Sequence, residues 1–550
     1  MEGDLQFENS QMFGSPVEMS NARRWAITIG VMTGSFIAAL EATVVGTAMP
    51  TVIASLGGIA HYSWVFSAYI VTSTVTVPVW GKLSDLYGRR LMYQVGIGFF
   101  LLGTLLSGFS NSMTELITFR AIQGLGAGAL VPLGMTIIGD IFTLEERAKM
   151  QAYFSGVWGF SSVVGPIVGG FITDQISWRW VFFLNIPVGI VAATIIGFAL
   201  KEPKNTRKPT IDYAGAALLM LAISLLMLAM VEGVKSLASI VSPINLVLFA
   251  ASFALLYLFV RTENRARDPI IPFKLFENRT VLAAVIAGFL GGIGMFGAIS
   301  FVPLFAQGAL GMSATEAGSL LTPLMLSWVT TSVVGGRLLL KFSFRPLTIA
   351  GFSVLAVGFT MMAMFTTQTP RFWLYTELVI IGIGLGFTML TLLIAVQQAV
   401  ERPQLGVATS LNQFSRAIGG AFGVAIMGVA LTIGLSSQLH KMADQPGSPF
   451  THEQAAAFAE DPNGLIAPDA KAQLPAATLS TLQDAMAAAI HPLFWIGAFV
   501  SLMAVFASFF LPTRAESETD EGRPKPFGEK MIMAEQTVIN ARNQPRVRRR

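Results

Sequence analysis

The sequence has no cysteine. That excludes disulfides, thiol nucleophiles and thiolate metal sites together. Histidine is scarce too: His61, His440, His452 and His491 are the only four, and no two stand at metal-ligand spacing. Charge is the third shortage. Only 12% of the 550 residues are charged and 53% are hydrophobic, whereas a soluble domain carries about 25% charged residues. A chain this long and this poor in charge cannot cover a surface facing water, so its solvent is lipid. No G-x-x-x-x-G-K-[ST] sequence occurs, and the glycine runs lie inside apolar stretches, so neither ATP drive nor a nucleotide cofactor is expected. The absence of a nucleophile, metal cluster or cofactor loop argues against an enzyme. The first residues, MEGDLQFENSQMFGSPVEMS, are polar and acidic, unlike a cleavable signal peptide. The first apolar helix is expected to direct insertion.

What the chain does have is apolar runs. A membrane helix needs about 20 such residues. On that rule the spans are 25–47, 62–81, 91–109, 114–138, 147–172, 180–200, 211–231, 244–261, 280–303, 316–340, 346–366, 372–399, 405–433 and 490–511. The fold class is therefore an all-α membrane protein of fourteen helices, with both tails on one side. Seventeen lysines and arginines fall in the loops on the tail side. Only Arg179, Lys235, Arg371, Lys441 and Lys471 fall on the other. The positive-inside rule then puts both tails in the cytoplasm. The net charge of +4 resides in these loops, so no nucleic-acid partner is expected. Residues 434–489 read as an external loop, within which TLSTLQDAMAAAI is expected to be a short helix on the outer surface. The tail ending in RVRRR suits attraction to anionic lipid.

Charges within the spans mark candidate functional positions. Glu41 lies about 24 Å along span 1 from Trp25, and Arg120 about 9 Å into span 4 from the opposite side. Both therefore sit in the outer third of the bilayer, where a carboxyl group can bind and release a proton. The pair is expected to face each other across the first bundle. Arg416 lies about 16 Å into span 13, within Asn412-Gln413-Phe414-Ser415-Arg416. Glu377 begins span 12 near the outer face. Gln123, Glu377, Asn412, Gln413 and Arg416 are candidate polar contacts for a ligand.

The turn Gly81-Lys82-Leu83-Ser84-Asp85-Leu86-Tyr87-Gly88-Arg89-Arg90 joins spans 2 and 3. A weaker copy, Gly336 to Arg345, joins spans 10 and 11. A repeated turn in two halves indicates a duplicated bundle. The first copy resembles the loop signature of the major facilitator superfamily. Arg120-Ala121-Ile122-Gln123-Gly124-Leu125-Gly126, Gly165-Pro166-Ile167-Val168-Gly169-Gly170, and Trp178 through Asn185 to Pro187 resemble signatures of its fourteen-helix drug:proton antiporter branch. In two places the sequence departs from that branch. Span 1 reads Leu40-Glu41-Ala42-Thr43-Val44-Val45-Gly46 where the branch has aspartate and asparagine, and Ser161 stands where the span 5 signature starts with glycine.

The resemblance implies two six-helix bundles, 25–200 and 280–511, joined through 201–279 with two inserted helices, and tails at 1–24 and 512–550. It implies a proton-coupled exporter of amphipathic or lipophilic compounds in a bacterial inner membrane, driven by the proton gradient and working as a monomer. A periplasmic adaptor protein is a candidate partner. In the family, an aspartate at Asp85 gates the cytoplasmic side by engaging a helix N-terminus of the other bundle, with Gly81, Gly88, Arg89 and Arg90 shaping the turn. Gly165, Pro166, Gly169 and Gly170 form the bend linked to export. Two other readings stand beside this one: a dedicated exporter of one metabolite or lipid, and a membrane sensor that transports nothing.

Overall fold

The computed structural model describes residues 19–56, 62–202, 212–233, 239, 241–266, 268–312, 314–339, 341–444, 451–460 and 474–513. Among these residues there are helices and turns and no strands. In lipid, a helix satisfies its own backbone hydrogen bonds, and each of the fourteen predicted spans is helical. In chain order they are α1 (Asn21–Leu56), α2 (Tyr62–Tyr87), α3 (Arg89–Gly108), α4 (Met113–Ile141), α5 (Leu144–Gln175), α6 (Arg179–Phe183) with α7 (Asn185–Ala199), α8 (Tyr213–Gly233), α9 (Pro243–Glu263), α10 (Arg279–Gly308), α11 (Ala314–Ser319) with α12 (Leu321–Leu339), α13 (Phe344–Met362), α14 (Arg371–Gln398) and α15 (Leu405–Ala443). A short helix α16 (His452–Glu460) precedes the last, α17 (Ala476–Ser508).

Among the described residues, eleven of the spans are long and apolar enough to cross a membrane by composition alone. Of the other three, α5 has side chains outside the described residues, whereas α2 and α12 differ for a physical reason. α2 and α12 carry Thr72-Ser73-Thr74 and Thr330-Thr331-Ser332 in mid-span. Both also lie at the seam between the two halves, α2 packing along α15 and α12 along α5. Several hydroxyls turn back on their own helices: Thr72, Thr76 and Thr330 donate to the carbonyls of Ala68, Thr72 and Leu326, each at 2.8 Å, while Ser332 donates to the Gly386 carbonyl of α14 at 3.5 Å. Protein, not lipid, surrounds much of this polarity.

The first half comprises α1 to α7 and the second α10 to α17. The pair α8 and α9 belongs to neither. Ala216, Leu219, Ile223, Leu226 and Met227 of α8 pack on Val71 and Val75 of α2 and on Leu411 and Ile418 of α15. The inserted pair thus covers the α2–α15 seam. The described chain ends share one face, called here the tail face. There Arg23 donates to the Ala199 carbonyl and Arg345 to the Leu511 carbonyl, both at 2.7 Å.

The segment expected as an external loop differs from expectation. It is helical at both ends. α15 runs on to Ala443, and TLSTLQDAMAAAI forms the outer turns of α17 rather than a separate surface helix. The cause is phase. Leu482, Ala485, Met486, Ala489 and Ile490 are buried at helical spacing, continuing the stripe of the membrane span. Met486 also fills the notch left by Gly308 of α10. The expectations for residues 1–18, 203–211, 445–450, 461–473 and the tail beyond 513 lie outside the described residues.

Candidate functional site

Glu41 of α1 and Arg120 of α4 form an ion pair inside the first half. Their relative exposures are 0% and 1%, so water does not screen the pair. Every remaining hydrogen-bonding position then matters, because a buried charge is costly unless paired and bonded. Arg120 Nη1 also donates to Gln123 Oε1 at 2.7 Å, and its Nε to the Val65 carbonyl at 3.3 Å. Its guanidinium carbon lies 4.2 Å from the centre of the Tyr69 ring, a favourable cation–π position. Gln123 Nε2 donates to Thr104 Oγ1 at 2.7 Å. The second carboxylate oxygen of Glu41 accepts from Asn185 Nδ2 at 2.5 Å. One network thus joins α1, α2, α3, α4 and α7. Thr43 does not bond Glu41. Its hydroxyl donates to the carbonyls of Leu40 (2.9 Å) and Ser161 (3.2 Å).

Asn185 was not among the candidates from sequence, although the signature Trp178 to Pro187 contains it. The signal was a lone amide side chain in an apolar span. The break between α6 and α7 at Leu184 places it first on α7, and its Oδ1 has no partner among the described residues.

A second cluster closes the tail face. The Asp85 carboxylate at the end of α2 accepts from the backbone N–H groups of Gly406 (3.0 Å) and Val407 (2.8 Å). These are the second and third residues of α15, so the carboxylate meets the positive end of a helix from the other half. Arg89 pairs with Asp85 and, at 3.2 Å, with Asp140 of α4. Two glycines permit this geometry. A Cβ on Gly81 would sit 2.4 Å from Ser410 Oγ and 2.8 Å from the Gly406 carbonyl oxygen. Gly88 adopts φ +95°, a conformation glycine takes without the Cβ penalty. Arg90 is exposed and contributes through its backbone. Glu202 accepts from the N–H groups of Arg89 (2.8 Å) and Arg90 (3.0 Å), capping α3. Burial pushes the Glu202 carboxyl above its usual range, with the Arg90 and Arg89 amides pulling the other way. Sequence reasoning missed Glu202, because nothing in a lone Lys-Glu-Pro after a span reveals that it folds back.

The same face holds a further bond between halves. Arg147 Nη1 of α5 donates to Gln397 Oε1 of α14 at 3.3 Å, and Gln397 Nε2 to Thr409 Oγ1 at 3.3 Å.

On α5, the helix continues without interruption through Gly165 and Pro166. The Pro166 side chain lies outside the described residues. Gly165 receives Thr43, whose Oγ1 would lie 2.0 Å from an added Cβ, so this glycine sets the approach of α1 to α5. Gly169 is buried, and Gly170 has open space around its would-be Cβ.

The remaining candidates lie in the second half and do not converge. The Asn412 amide borders Gly288 of α10. Gln413 reaches Met135 of α4 in the other half. Arg416 Nη1 lies 3.8 Å from Met389 Sδ of α14. Glu377, near the outer end of α14, is buried in protein. It is 2% exposed, because neighbouring helices α12 and α13 enclose that end of α14.

The helices, their duplication and the two halves define a membrane transporter fold, and comparison with known proteins agrees. The sequence pattern of the Major Facilitator Superfamily matches residues 31–424. The chain belongs to that superfamily. It is 38% identical over 521 residues to the multidrug transporter protein MdtP of Bacillus subtilis (strain 168), covering 92% of this chain and 96% of that one. It is 36% identical over 487 residues to multidrug resistance protein 3 of the same organism, covering 88% and 94%. Among solved structures, the human organic anion transporter MFSD10 superposes with a TM-score of 0.56 at 15% identity, over 88% of this chain and all of that one (100%). The proton:xylose symporter XylE superposes with a TM-score of 0.56 at 13% identity, over 90% and 97%. The two structures share the fold with this chain. The chain is a multi-pass membrane transporter.

Proposed function

We propose that this transporter is a proton-coupled antiporter that exports amphipathic or lipophilic compounds by alternating access. The observation that carries the reading is the Glu41–Arg120 pair, a carboxylate and a guanidinium buried together in a membrane span. The names of the two Bacillus relatives support the substrate class. In the mechanism, a proton arriving from outside neutralises Glu41. Arg120 then keeps only Gln123, the Val65 carbonyl and Tyr69, and the first half loses its central charge pair. That loss biases the two halves toward the opposite opening. The clasp of Asp85 on Gly406 and Val407 holds the tail face shut until then. Gly165, where Thr43 brings α1 onto α5, belongs to the contact that seals the other side, with Pro166, Gly169 and Gly170 following it in the same signature. Gln123, Asn412, Gln413 and Arg416 supply polar contacts to substrate. Seventeen basic loop residues against five support a cytoplasmic tail face, in a bacterial inner membrane. The protein works as a monomer, with an adaptor protein as a candidate partner on the far side.

The test uses purified protein in liposomes loaded with a pH-sensitive dye. Lipophilic cations and lipids are added in turn across an imposed proton gradient. The reading predicts substrate-dependent proton flux in the wild type and none in Glu41→Gln. Equal flux in both removes Glu41 from the coupling. A dedicated exporter of one metabolite is the second reading, favoured by relatives such as the acurin A biosynthesis cluster transporter of Aspergillus aculeatus, 28% identical over 439 residues. It predicts flux with one compound and none with the panel.

A further inference from the structure

Among the described residues, the carboxyl group of Glu377 has no cation beside it. It is 2% exposed, and its Oε2 is buried with no hydrogen-bond partner among the described residues. Its direction follows from helix periodicity. Gly384, two turns further along α14, would place a Cβ 2.5 Å from Leu355 Cγ of α13, and Ile381 borders Gly358 of the same helix. Glu377 shares that face, and the antiparallel register brings it level with Met362, itself 0% exposed. The surroundings are apolar.

Among the described residues, the charged groups of the neighbouring elements are bonded elsewhere, exposed or distant; His440 and Lys441, at the outer end of α15, are exposed. Arg371, at the start of α14, pairs with Glu316 of α11 at 3.6 Å. His491 of α17 meets the Phe365 carbonyl, and Asp484 of α17 accepts from Thr367 at 2.8 Å. Arg416 of α15 lies against Met389, about 18 Å further along α14 than Glu377. Arg279, Arg337 and Arg345 are the only ionisable residues of α10, α12 and α13, and each lies near its helix's tail-face end. An ionised carboxylate here would be buried and unpaired, which is the costliest arrangement available to it. The neutral acid avoids that cost. A neutral acid kept only for structure would donate its proton to a fixed acceptor, and Oε2 has none among the described residues. The site is therefore incomplete in this conformation, as expected of a group that exchanges its proton in another. An exposed ion pair is near: Arg371 and Glu316 are 60% and 50% exposed, and Glu377 lies about 9 Å along the helix from Arg371.

We propose that Glu377 is a second proton-carrying site, separate from the Glu41–Arg120 network and loaded from the far face. Its role in transport rests on the antiport reading, whereas its protonation does not. Two measurements separate these. Infrared difference spectroscopy of the purified protein at neutral pH reads the carbonyl band of a buried neutral carboxylic acid. Glu377→Gln keeps the shape and neutrality of that acid, so the fold is retained. The proposal predicts that the band is present in wild type and in Glu41→Gln/Arg120→Gln, and is lost in Glu377→Gln. A band of full strength in Glu377→Gln overturns it. The second measurement is the number of protons moved per substrate in liposomes. The expected result is a fall in Glu377→Gln, with transport retained. A lost band with an unchanged ratio also overturns the proposal, because the proton is then held and never carried. If no compound drives flux in the wild type, the antiport reading fails while the band still decides whether Glu377 holds a proton.

Discussion

At the residue scale, the Glu41–Arg120 pair makes the strongest demand. Both partners are buried, so removing one leaves an uncompensated charge, at a cost of about 3–5 kcal/mol. Arg120→Met is therefore expected to lower thermal stability in detergent markedly. The double variant Glu41→Gln/Arg120→Met should regain most of the loss. A double variant no more stable than Arg120→Met contradicts the pairing. Asp85→Asn is a different case. It keeps a side chain of the same size but gives up charge-assisted bonds to Gly406 and Val407, bonds of about 1.5–3 kcal/mol for a charged acceptor. Its expected effect is a tail face that opens more readily, with little change in overall stability. The pairing of Glu41 with Arg120 was legible in the sequence, because helix rise alone puts both at one depth. Asn185 and Glu202 were not. A lone amide or carboxylate gives no hint of its partner when that partner lies on a helix more than a hundred positions away, as for both of these.

At the scale of elements, the decisive contact is the α2–α15 seam, where Gly81 lies against Gly406 and Ser410. A valine at position 81 cannot avoid the Gly406 carbonyl, since backbone does not swing aside as a flexible side chain does. The natural absence of cysteine makes this testable. Thr409→Cys introduces a single thiol at a site that is 0% exposed. Its rate of maleimide labelling should rise severalfold when Gly81→Val is added, and unchanged labelling would show that the seam closes without that contact. The sequence reading placed a helix at all fourteen spans, because each is a long run between charged or turn-forming loops, even where α2 and α12 carry hydroxyls in mid-span. Their ends were less legible. α15 and α17 continue past the membrane spans, since burial against neighbouring helices, not lipid, sustains their outer turns. Leu482 and Met486 carried that signal, but an alanine-rich stretch reads equally as a surface helix.

At the scale of the molecule, the balance of basic residues gives a direction to the whole chain. Single cysteines at Ser343 and Glu401, beside the tail face, should be shielded from a membrane-impermeant maleimide in intact cells. Cysteines at Ser112 and Thr367, on the opposite face, should react. The reverse pattern would invert the transporter. The central claim is that substrate and protons move in opposite directions through one coupled cycle, and one measurement addresses it directly. Liposomes are loaded with a transported lipophilic cation and diluted into cation-free buffer at equal pH on both sides, with the membrane potential clamped. The account predicts that cation efflux drives protons inward, acidifying the lumen, and that Glu41→Gln abolishes this. Cation efflux with no change in luminal pH in the wild type would contradict it.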